Sequence, residues 1–304
     1  MSSVPILPSK ITYNTQSLRR IFDRRAAGFN AVTFLLREVS QRMDERFDYI
    51  KINPSNLLDA GCGMGDDLQV LNFRFPDTKV FGVDLSREML ARSGDKDVVQ
   101  SDFSSLPFSW NTFDLIWSNL ALQWNICPSM VLQEWQRVLR VSGLLMFSTL
   151  GPDTFRELRN SCLEADKAIG IVPSTPHVID FVDMHDLGDM LLNSGFDFPV
   201  MDKELLIVTY KSPNSLLDDV KGWGAYPFYR TSPSKNRSFR LALESALDSC
   251  RSADGTIPLT FEIIYGHGWK TVPYKINEEH ELTQIKDIGK ANKSPSNIRS
   301  NIDN

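Results

Sequence analysis

The sequence is poor in cysteine and shows no pattern of metal ligands. Its 304 residues include four cysteines and four histidines, with no CxxC pair and no histidine at metal-ligand spacing from a cysteine. This argues against a disulfide framework and predicts reduced thiols in a cytoplasmic protein without a bound metal. We expect Cys62 to be a small buried side chain rather than a reactive thiol.

Long hydrophobic runs and an excess of positive charge are also missing. No segment is apolar and long enough to span a bilayer, and the first residues lack the apolar core of a signal peptide. The sequence has 33 basic and 38 acidic side chains, so we expect no nucleic-acid-binding surface. Four arginines near the N-terminus could belong to an organelle transit segment: Arg19, Arg20, Arg24 and Arg25. Asp23 and the helical pattern make this the lesser interpretation.

The most informative feature is the stretch NLLDAGCGMG, which runs from Asn56 to Gly65. Its first four residues are typical of the end of a buried strand, and the apolar spacing after the stretch is helical. Between strand and helix, glycines stand at alternate positions: Gly61, Gly63 and Gly65. Glycine allows backbone conformations that side chains forbid and lets a ligand approach the main chain closely. The stretch therefore predicts a ligand-binding loop.

A second predicted strand, Lys79–Asp84 (KVFGVD), ends in an acid about twenty residues beyond this loop. Asp84 is placed to accept both hydroxyls of a ribose. A glycine loop alone is a weak signal. The loop, the following helix, the second strand and its terminal acid together predict a nucleoside ligand.

The spacing of the glycines and the acids around them indicate which nucleoside. A dinucleotide loop has the spacing G-x-G-x-x-G and holds a pyrophosphate at the helix N-terminus. Here the spacing is G-x-G-x-G, and Asp66 and Asp67 open the helix, where they would repel a pyrophosphate. Together with Asp59 they suit a ligand with a cationic end. We therefore predict S-adenosylmethionine as the co-substrate.

The strand–helix alternation continues and predicts a doubly wound sheet. Further strands are expected at Val98–Asp102, Phe113–Asn119 and Leu144–Leu150, and the fourth runs into Trp124 at the sheet edge where ligands of such folds bind. At the third strand end, an acid followed by Phe103 could bind the edge and face of an adenine. A solvated turn with a buried phenylalanine fits that spacing equally well.

The domain boundaries follow from composition and pattern. We predict a flexible N-terminus at 1–17 and a polar, disordered tail at 275–304. One domain lies between them at 18–274. Its parts are N-terminal helices at 18–50, a core at 51–150, and lid insertions at about 151–182 and 211–255.

Four segments within about Asn56 to Leu150 resemble the successive motifs of class I S-adenosylmethionine-dependent methyltransferases: NLLDAGCGMG, KVFGVDLS, SDFSSLPFSWNTFDLIWSNLALQW and RVLRVSGLLMFSTL. The resemblance implies an α/β fold with a Rossmann-like, doubly wound sheet of about seven strands and helical lid insertions. Outer segments are similar to the malonyl-acyl-carrier-protein O-methyltransferases of biotin synthesis: IFDRRAAGF, FVDMHDLGDML, DDVKGWGA and PLTFEIIYGHGWK.

Two alternatives stay open at this point. The same outer segments resemble methyltransferase-like assembly factors of respiratory complex I, some of which hydroxylate a protein arginine. A catalytically silent binding module could also keep the fold. The intact SNLALQW segment and the DAGCGMG loop favour the carboxyl methyltransferase.

The resemblance also implies roles for individual residues. The three loop glycines would cradle the donor, Asp59 would lie near its amino-acid end, and Arg25 would pair with its carboxylate. Further donor contacts are expected from Asp84 on the ribose, Leu85, Asp102 and Phe103 on the adenine, and Asn119 near the sulfonium methyl.

The implied acceptor is a malonyl thioester on acyl carrier protein or coenzyme A. Its carboxyl group, with an ordinary pKa near 4, is ionised at neutral pH, so no general base is required. Catalysis then depends on positioning, for which we predict Asn119 and Trp124, and on exclusion of water. Basic side chains on the insertions are candidates for holding the acceptor: Arg156, Arg159 and Lys221.

Overall fold

A computed structural model describes residues 15–29, 33–94, 97–170, 172, 177–223 and 237–272. The predicted tail 275–304, residues 1–14 of the predicted flexible N-terminus and residues 224–236 of the second insertion lie outside the described residues. Residues 15–17, predicted as part of the flexible N-terminus, belong to a helix. No helix among the described residues is long and apolar enough to cross a membrane.

Seven strands form one sheet within the described part of the chain: β1 (Asn56–Ala60), β2 (Lys79–Asp84), β3 (Val98–Gln100), β4 (Phe113–Ser118), β5 (Leu139–Leu150), β6 (Asp197–Tyr210) and β7 (Ile257–Trp269). Their order is β3-β2-β1-β4-β5-β7-β6. The first five strands run parallel, and β7 is antiparallel to both of its neighbours. The predicted doubly wound α/β sheet of about seven strands is confirmed.

The helices of the described ranges are α1 (Thr15–Arg25), α2 (Phe34–Glu45), α3 (Asp66–Arg74), α4 (Arg87–Ser93), α5 (Pro128–Val138), α6 (Arg156–Ala168), α7 (Met184–Asn193), α8 (Pro213–Trp223) and α9 (Arg237–Asp248). Short 3-10 turns occupy Arg46–Asp48 and Leu122–Trp124. The amphipathic stretch at the N-terminus thus forms two helices, α1 and α2.

The central strands β1, β4 and β5 are buried on both faces over most of their length, which explains their near-continuous apolar sequences. On one face, Leu57 and Leu115 pack with α2, α3 and the insertion helices. On the other face, Leu58 and Ile116 pack with α5 and α7. Adjacent residues of one strand thus belong to opposite cores, as the two-residue repeat of a strand requires.

Strand boundaries differ from the predictions at three places. The third strand ends at Gln100, so Asp102 lies in the following turn rather than in the strand. The fourth strand ends at Ser118, so Asn119 directly follows it. The fifth strand begins at Leu139 instead of Leu144, immediately after α5 ends at Val138. Pairing of β5 with β4 is irregular there because Ser142 adopts a left-handed φ of 64°.

Both insertions pack together and onto β7. Helix α6 of the first insertion contacts α9 of the second. The fully buried Glu262 of β7 fixes the start of the first insertion by accepting hydrogen bonds from the Asp153 backbone N–H and from Lys203 Nζ, each at 2.7 Å. The insertion therefore leaves the sheet edge in a defined direction.

Candidate functional site

A cavity of about 330 Å³ opens where the carboxyl ends of β1 and β4 diverge. This is the point at which the strand order reverses, since the chain builds β1 to β3 in one direction and β4 to β5 in the other. Open α/β sheets bind ligands at such a switch point. The volume lies within the range of about 300–1,000 Å³ typical of small-molecule pockets.

The floor of the cavity is the glycine loop. Gly61, Gly63 and Gly65 all have positive φ, at 89°, 54° and 86°. A Cβ on Gly61 would lie 2.5 Å from the Cβ of Ala121, so no larger residue fits there. The backbone N–H groups of Gly61 and Cys62 both donate to the carbonyl of Val83, at 2.8 and 2.9 Å. The loop is thereby held against the end of β2.

Asp84, at the end of β2, lines the cavity beside this loop. Its carboxylate accepts hydrogen bonds from the backbone N–H groups of Gly63 and Ser86, at 2.9 and 2.7 Å. Burial raises the pKa of Asp84 to about 6, although these hydrogen bonds act in the opposite direction. The carboxylate is oriented by the backbone and keeps lone pairs for a ligand hydroxyl.

Two further acids stand close to Asp84. Asp59 is 1% exposed, and its Oδ2 has no hydrogen-bond partner among the described residues. Burial, with smaller contributions from the charges of Asp67 and Asp84, raises the pKa of Asp59 well above its ordinary value. Burial also raises the pKa of Asp67, which accepts a hydrogen bond from the indole N–H of Trp117 at 2.9 Å.

This acid cluster provides the test of whether a methyl donor fits. Among the described residues, none of the three acids forms an ion pair. Buried like charges favour protonation unless a positive charge is supplied from outside. A ligand with an ammonium and a sulfonium supplies it, so the residues fit S-adenosylmethionine.

The turn after β3 forms the adenine end of the predicted site. Asp102 accepts hydrogen bonds from the backbone N–H and the hydroxyl of Ser104, at 2.9 and 2.6 Å, and from Thr15 Oγ1 of α1 at 3.2 Å. Phe103 packs edge-on against Trp135 with ring centroids 5.9 Å apart. Both Asp102 and Phe103 line the cavity, as does Leu85.

Asn119 links the end of β4 to α2. Its Nδ2 donates to the carbonyl of Leu36 at 2.9 Å, and its Oδ1 accepts from Ser148 Oγ at the same distance. Its side chain also forms a hydrogen bond that lowers the pKa of Asp67. Asn119 thus lines the cavity with a side chain whose orientation is fixed.

The N-terminal helix α1 covers the cavity. Ser86 Oγ donates to Asp23 Oδ1 of α1 at 2.6 Å, which attaches α1 to the start of α4. Phe22 of α1 packs edge-on against Trp124, with ring centroids 5.4 Å apart. Trp124 and Phe22 both line the cavity, so the helix and the turn after β4 face each other across it.

Six predicted site residues are not among those that line the cavity: Asp59, Gly65, Arg25, Arg156, Arg159 and Lys221. Asp59 is buried within β1, Gly65 is the loop residue that directly precedes α3, and Arg25 ends α1. Arg156 is exposed and pairs with Glu157 at 3.1 Å. Lys221 is exposed in the last turn of α8. Their predicted roles stay predictions.

Arg159 instead shapes one wall of the cavity. Its guanidinium donates to the carbonyls of Thr154, Val178 and Ile179, at 3.2, 3.4 and 2.5 Å. Burial lowers its pKa. The segment it holds carries Ile179 and Phe181, which line the cavity.

The insertions also contribute apolar residues to the lining that no sequence pattern predicts: Phe155, Ile179 and Phe181. No local sequence motif marks these positions. Only the predicted position of the insertions above the sheet edge pointed to this region.

Comparison with known proteins agrees with this geometry. Residues 58–147 match the family model of a methyltransferase domain. The YcgJ protein of Bacillus subtilis aligns with a TM-score of 0.55 at 16% identity, covering 78% of this chain and 99% of that one. Phosphoethanolamine N-methyltransferase 2 of Haemonchus contortus, solved with S-adenosylmethionine, aligns with a TM-score of 0.53 at 18% identity, covering 84% of this chain and 60% of that one.

Relatives at higher identity span nearly the whole chain. The malonyl-[acyl-carrier protein] O-methyltransferase of Laribacter hongkongensis is 40% identical over 270 residues, which cover 83% of this chain and 88% of that protein. The protein of the same name from Gallionella capsiferriformans is 37% identical over 289 residues, covering 89% and 96%.

The sheet order, the glycine loop and the acid cluster define a class I methyltransferase that uses S-adenosylmethionine as co-substrate. Within that class the likeness to these relatives covers 83% and 89% of the chain, far more than residues 58–147. The chain belongs to the malonyl-[acyl-carrier protein] O-methyltransferase family.

Proposed function

We propose that this protein methylates the free carboxyl group of a malonyl thioester carried by acyl carrier protein, forming the methyl ester that primes the pimeloyl chain of biotin. The observation that carries the proposal is the 40% identity to a malonyl-[acyl-carrier protein] O-methyltransferase over 83% of the chain. That alignment is much longer than the 58–147 match to the methyltransferase domain. The relatives do not favour an assembly factor acting on arginine or a silent module.

The chemistry of the cavity supports a carboxylate acceptor. Among the described residues that line it there is no histidine, lysine or arginine. An amine acceptor would need a base to remove a proton, whereas a carboxylate with a pKa near 4 arrives ionised. When bound, S-adenosylmethionine supplies a methyl group on a positively charged sulfur, and a carboxylate oxygen accepts it without loss of a proton.

The residues of the chain then have positioning roles. We assign the donor to the glycine loop, with Asp84 on the ribose and Asp102 and Phe103 on the adenine. Asn119 and Trp124 line the path between donor and acceptor. The apolar residues of the insertions exclude water from the reacting groups, which strengthens the electrostatic interactions there.

The proposal also includes the identity of the carrier that bears the malonyl group. The relatives are named for malonyl on acyl carrier protein, and we infer the same carrier here in preference to coenzyme A. The thioester arm must pass between α1 and the insertions, since these elements cover the cavity.

The test uses the purified full chain with S-adenosylmethionine and malonyl-acyl carrier protein, followed by mass spectrometry of the carrier. We expect methyl ester formation, a lower kcat/KM with malonyl-coenzyme A, and no product from acetyl-acyl carrier protein, which lacks a free carboxyl group. Growth of a biotin auxotroph lacking this activity, rescued by the wild-type gene but not by Asp84→Ala, provides the cellular test. Donor binding without ester formation on the malonyl carrier would overturn the proposal.

A further inference from the structure

The cavity has a marked imbalance of charge. Four carboxyl side chains line it, Asp66, Asp67, Asp84 and Asp102, whereas none of its described lining residues carries a positive charge. Asp66 is paired with Arg37 at 3.2 Å, and the other three acids have no ion pair in the described ranges. A negatively charged acceptor would therefore enter a negative field when the donor is absent.

Two residues with neutral hydrogen-bond donors line the cavity in the turn after β4, Trp124 and Asn125. Asn125 Oδ1 accepts from the backbone N–H of Cys127 at 2.8 Å, which fixes the side chain and leaves Nδ2 without a partner among the described residues. The indole N–H of Trp124 likewise has no partner there, while its ring packs on Phe22. The adjacent Gln123 is held by two hydrogen bonds, donating to the Leu120 carbonyl and accepting from Thr149 Oγ1.

Neutral donors suit this reaction better than a protein cation does. A carboxylate oxygen forms the new O–CH3 bond while the C–S bond breaks. The electron pair of the C–S bond stays on sulfur, and the acceptor loses its negative charge. A fixed cation would stabilise the initial carboxylate more than the transition state and would therefore slow the step. An amide or indole N–H orients the carboxylate with a smaller bias toward the initial state.

We propose that Trp124 and Asn125 bind the acceptor carboxylate through neutral N–H groups, and that within the described lining the donor supplies the only positive charge the acceptor meets. This inference rests on the proposed function. It implies that the acceptor binds well only after the donor.

The test measures equilibrium binding of malonyl-acyl carrier protein to the full chain. One sample contains sinefungin, which has a cationic amine in place of the sulfonium, and the other contains S-adenosylhomocysteine, which is uncharged at sulfur. We expect binding to be roughly tenfold tighter with sinefungin. Carrier protein bearing the methyl ester should show no such difference.

Asn125→Asp is the sharpest variant because its carboxylate can still accept from the Cys127 N–H while the donor group is lost. We expect malonyl-carrier affinity in the presence of sinefungin to fall roughly tenfold to a hundredfold, with the melting temperature unchanged and donor binding no weaker. Asn160→Asp, on the exposed face of α6, adds the same charge away from the cavity and should change nothing. Trp124→Phe keeps the ring packing, removes the N–H, and should weaken acceptor binding severalfold.

The outcomes are distinguishable. Equal acceptor binding with the two donor analogues, together with normal binding by folded Asn125→Asp and Trp124→Phe, would overturn the inference while wild-type ester formation leaves the proposed function standing. A wild-type chain that binds donor but neither binds nor methylates the malonyl carrier would overturn both.

Discussion

The two walls of the cavity are built in different ways. The donor wall, as we assign it, follows the ends of β1, β2 and β3, and backbone hydrogen bonds hold its glycine loop against β2. The acceptor wall, as we assign it, is formed by residues of both insertions: Phe155, Ile179, Phe181 and Trp223. His177 Nε2 lies 2.6 Å from Asp166 Oδ2 of α6, and the His177 ring stacks on that of Phe239 of α9 with centroids 5.0 Å apart. These two contacts join the first insertion to the second.

The walls also differ in chemistry. The donor wall is acidic and placed by the main chain, whereas the acceptor wall is apolar and placed by side chains such as Arg159. A site positioned by the backbone tolerates few amino-acid substitutions because the strand ends fix its geometry. A side-chain-defined wall can be repacked for a different acceptor while the donor wall stays the same.

The largest effect is expected from Gly61→Ala in the donor wall. The new Cβ would lie 2.5 Å from that of Ala121, and φ is 89°, so we expect a loss of about 2–5 kcal/mol in the free energy of unfolding and no measurable donor binding. Gly63→Ala is the matched control, since a Cβ there has no described heavy atom within 4 Å and should cost only about 1–2 kcal/mol. Urea denaturation and donor calorimetry measure both. Equal effects at the two positions would show that the close approach of Gly61 to Ala121 does not constrain the loop.

The second effect concerns pH and Asp84. Because its pKa is raised from 3.8 to about 6, the folded apoprotein favours the protonated form, and this stabilising contribution is lost as the pH rises from about 4 through 6. Donor binding needs the carboxylate, so donor affinity should rise over the same interval. Apoprotein stability and donor affinity therefore change in opposite directions. The raised pKa of Asp59 likewise stabilises the folded apoprotein at low pH, and this contribution is also lost as the pH rises.

Calorimetry and thermal melting between about pH 5 and pH 8 test this pair of trends. Asp84→Asn should flatten the pH dependence of donor affinity and weaken binding at neutral pH. A wild-type donor affinity that is constant across the interval would show that Asp84 does not act as a carboxylate acceptor for the donor.

The same contrast explains how much the sequence could predict. The loop glycines and Asp84 were accessible because a strand end, a glycine spacing and a terminal acid are local signals, and parallel strands bring them to one edge. Ile179 and Phe181 were not, since nothing near them in sequence indicates that Arg159 binds their backbone. For Arg159 the sequence predicts a cation on the first insertion, but not that its guanidinium donates to three backbone carbonyls.

The third prediction tests the acceptor wall through Arg159. Arg159→Ala removes donors to three carbonyls, so we expect a loss of about 1.5–3 kcal/mol in unfolding free energy, a higher KM for the malonyl carrier, and unchanged donor affinity. Arg159→Lys keeps the charge but cannot reach all three carbonyls, and should fall between wild type and alanine. If lysine restored full activity, the positive charge rather than the geometry of the wall would be what the acceptor requires.

The smallest effects are expected at Arg156 and Lys221, which carry charge on the insertions outside the cavity lining. Arg156 has a side chain that is 47% exposed and pairs only with its neighbour Glu157 in the described structure, and such surface pairs contribute little. We therefore expect each alanine variant to change stability by no more than about 0.5 kcal/mol and to leave kcat/KM for the malonyl carrier near the wild-type value. Steady-state kinetics at two salt concentrations measure this. A large, salt-dependent rise in KM for either variant would mean that the acceptor wall does supply a cation, directly or by docking the carrier, and the division into an acidic donor wall and an uncharged acceptor wall would fail.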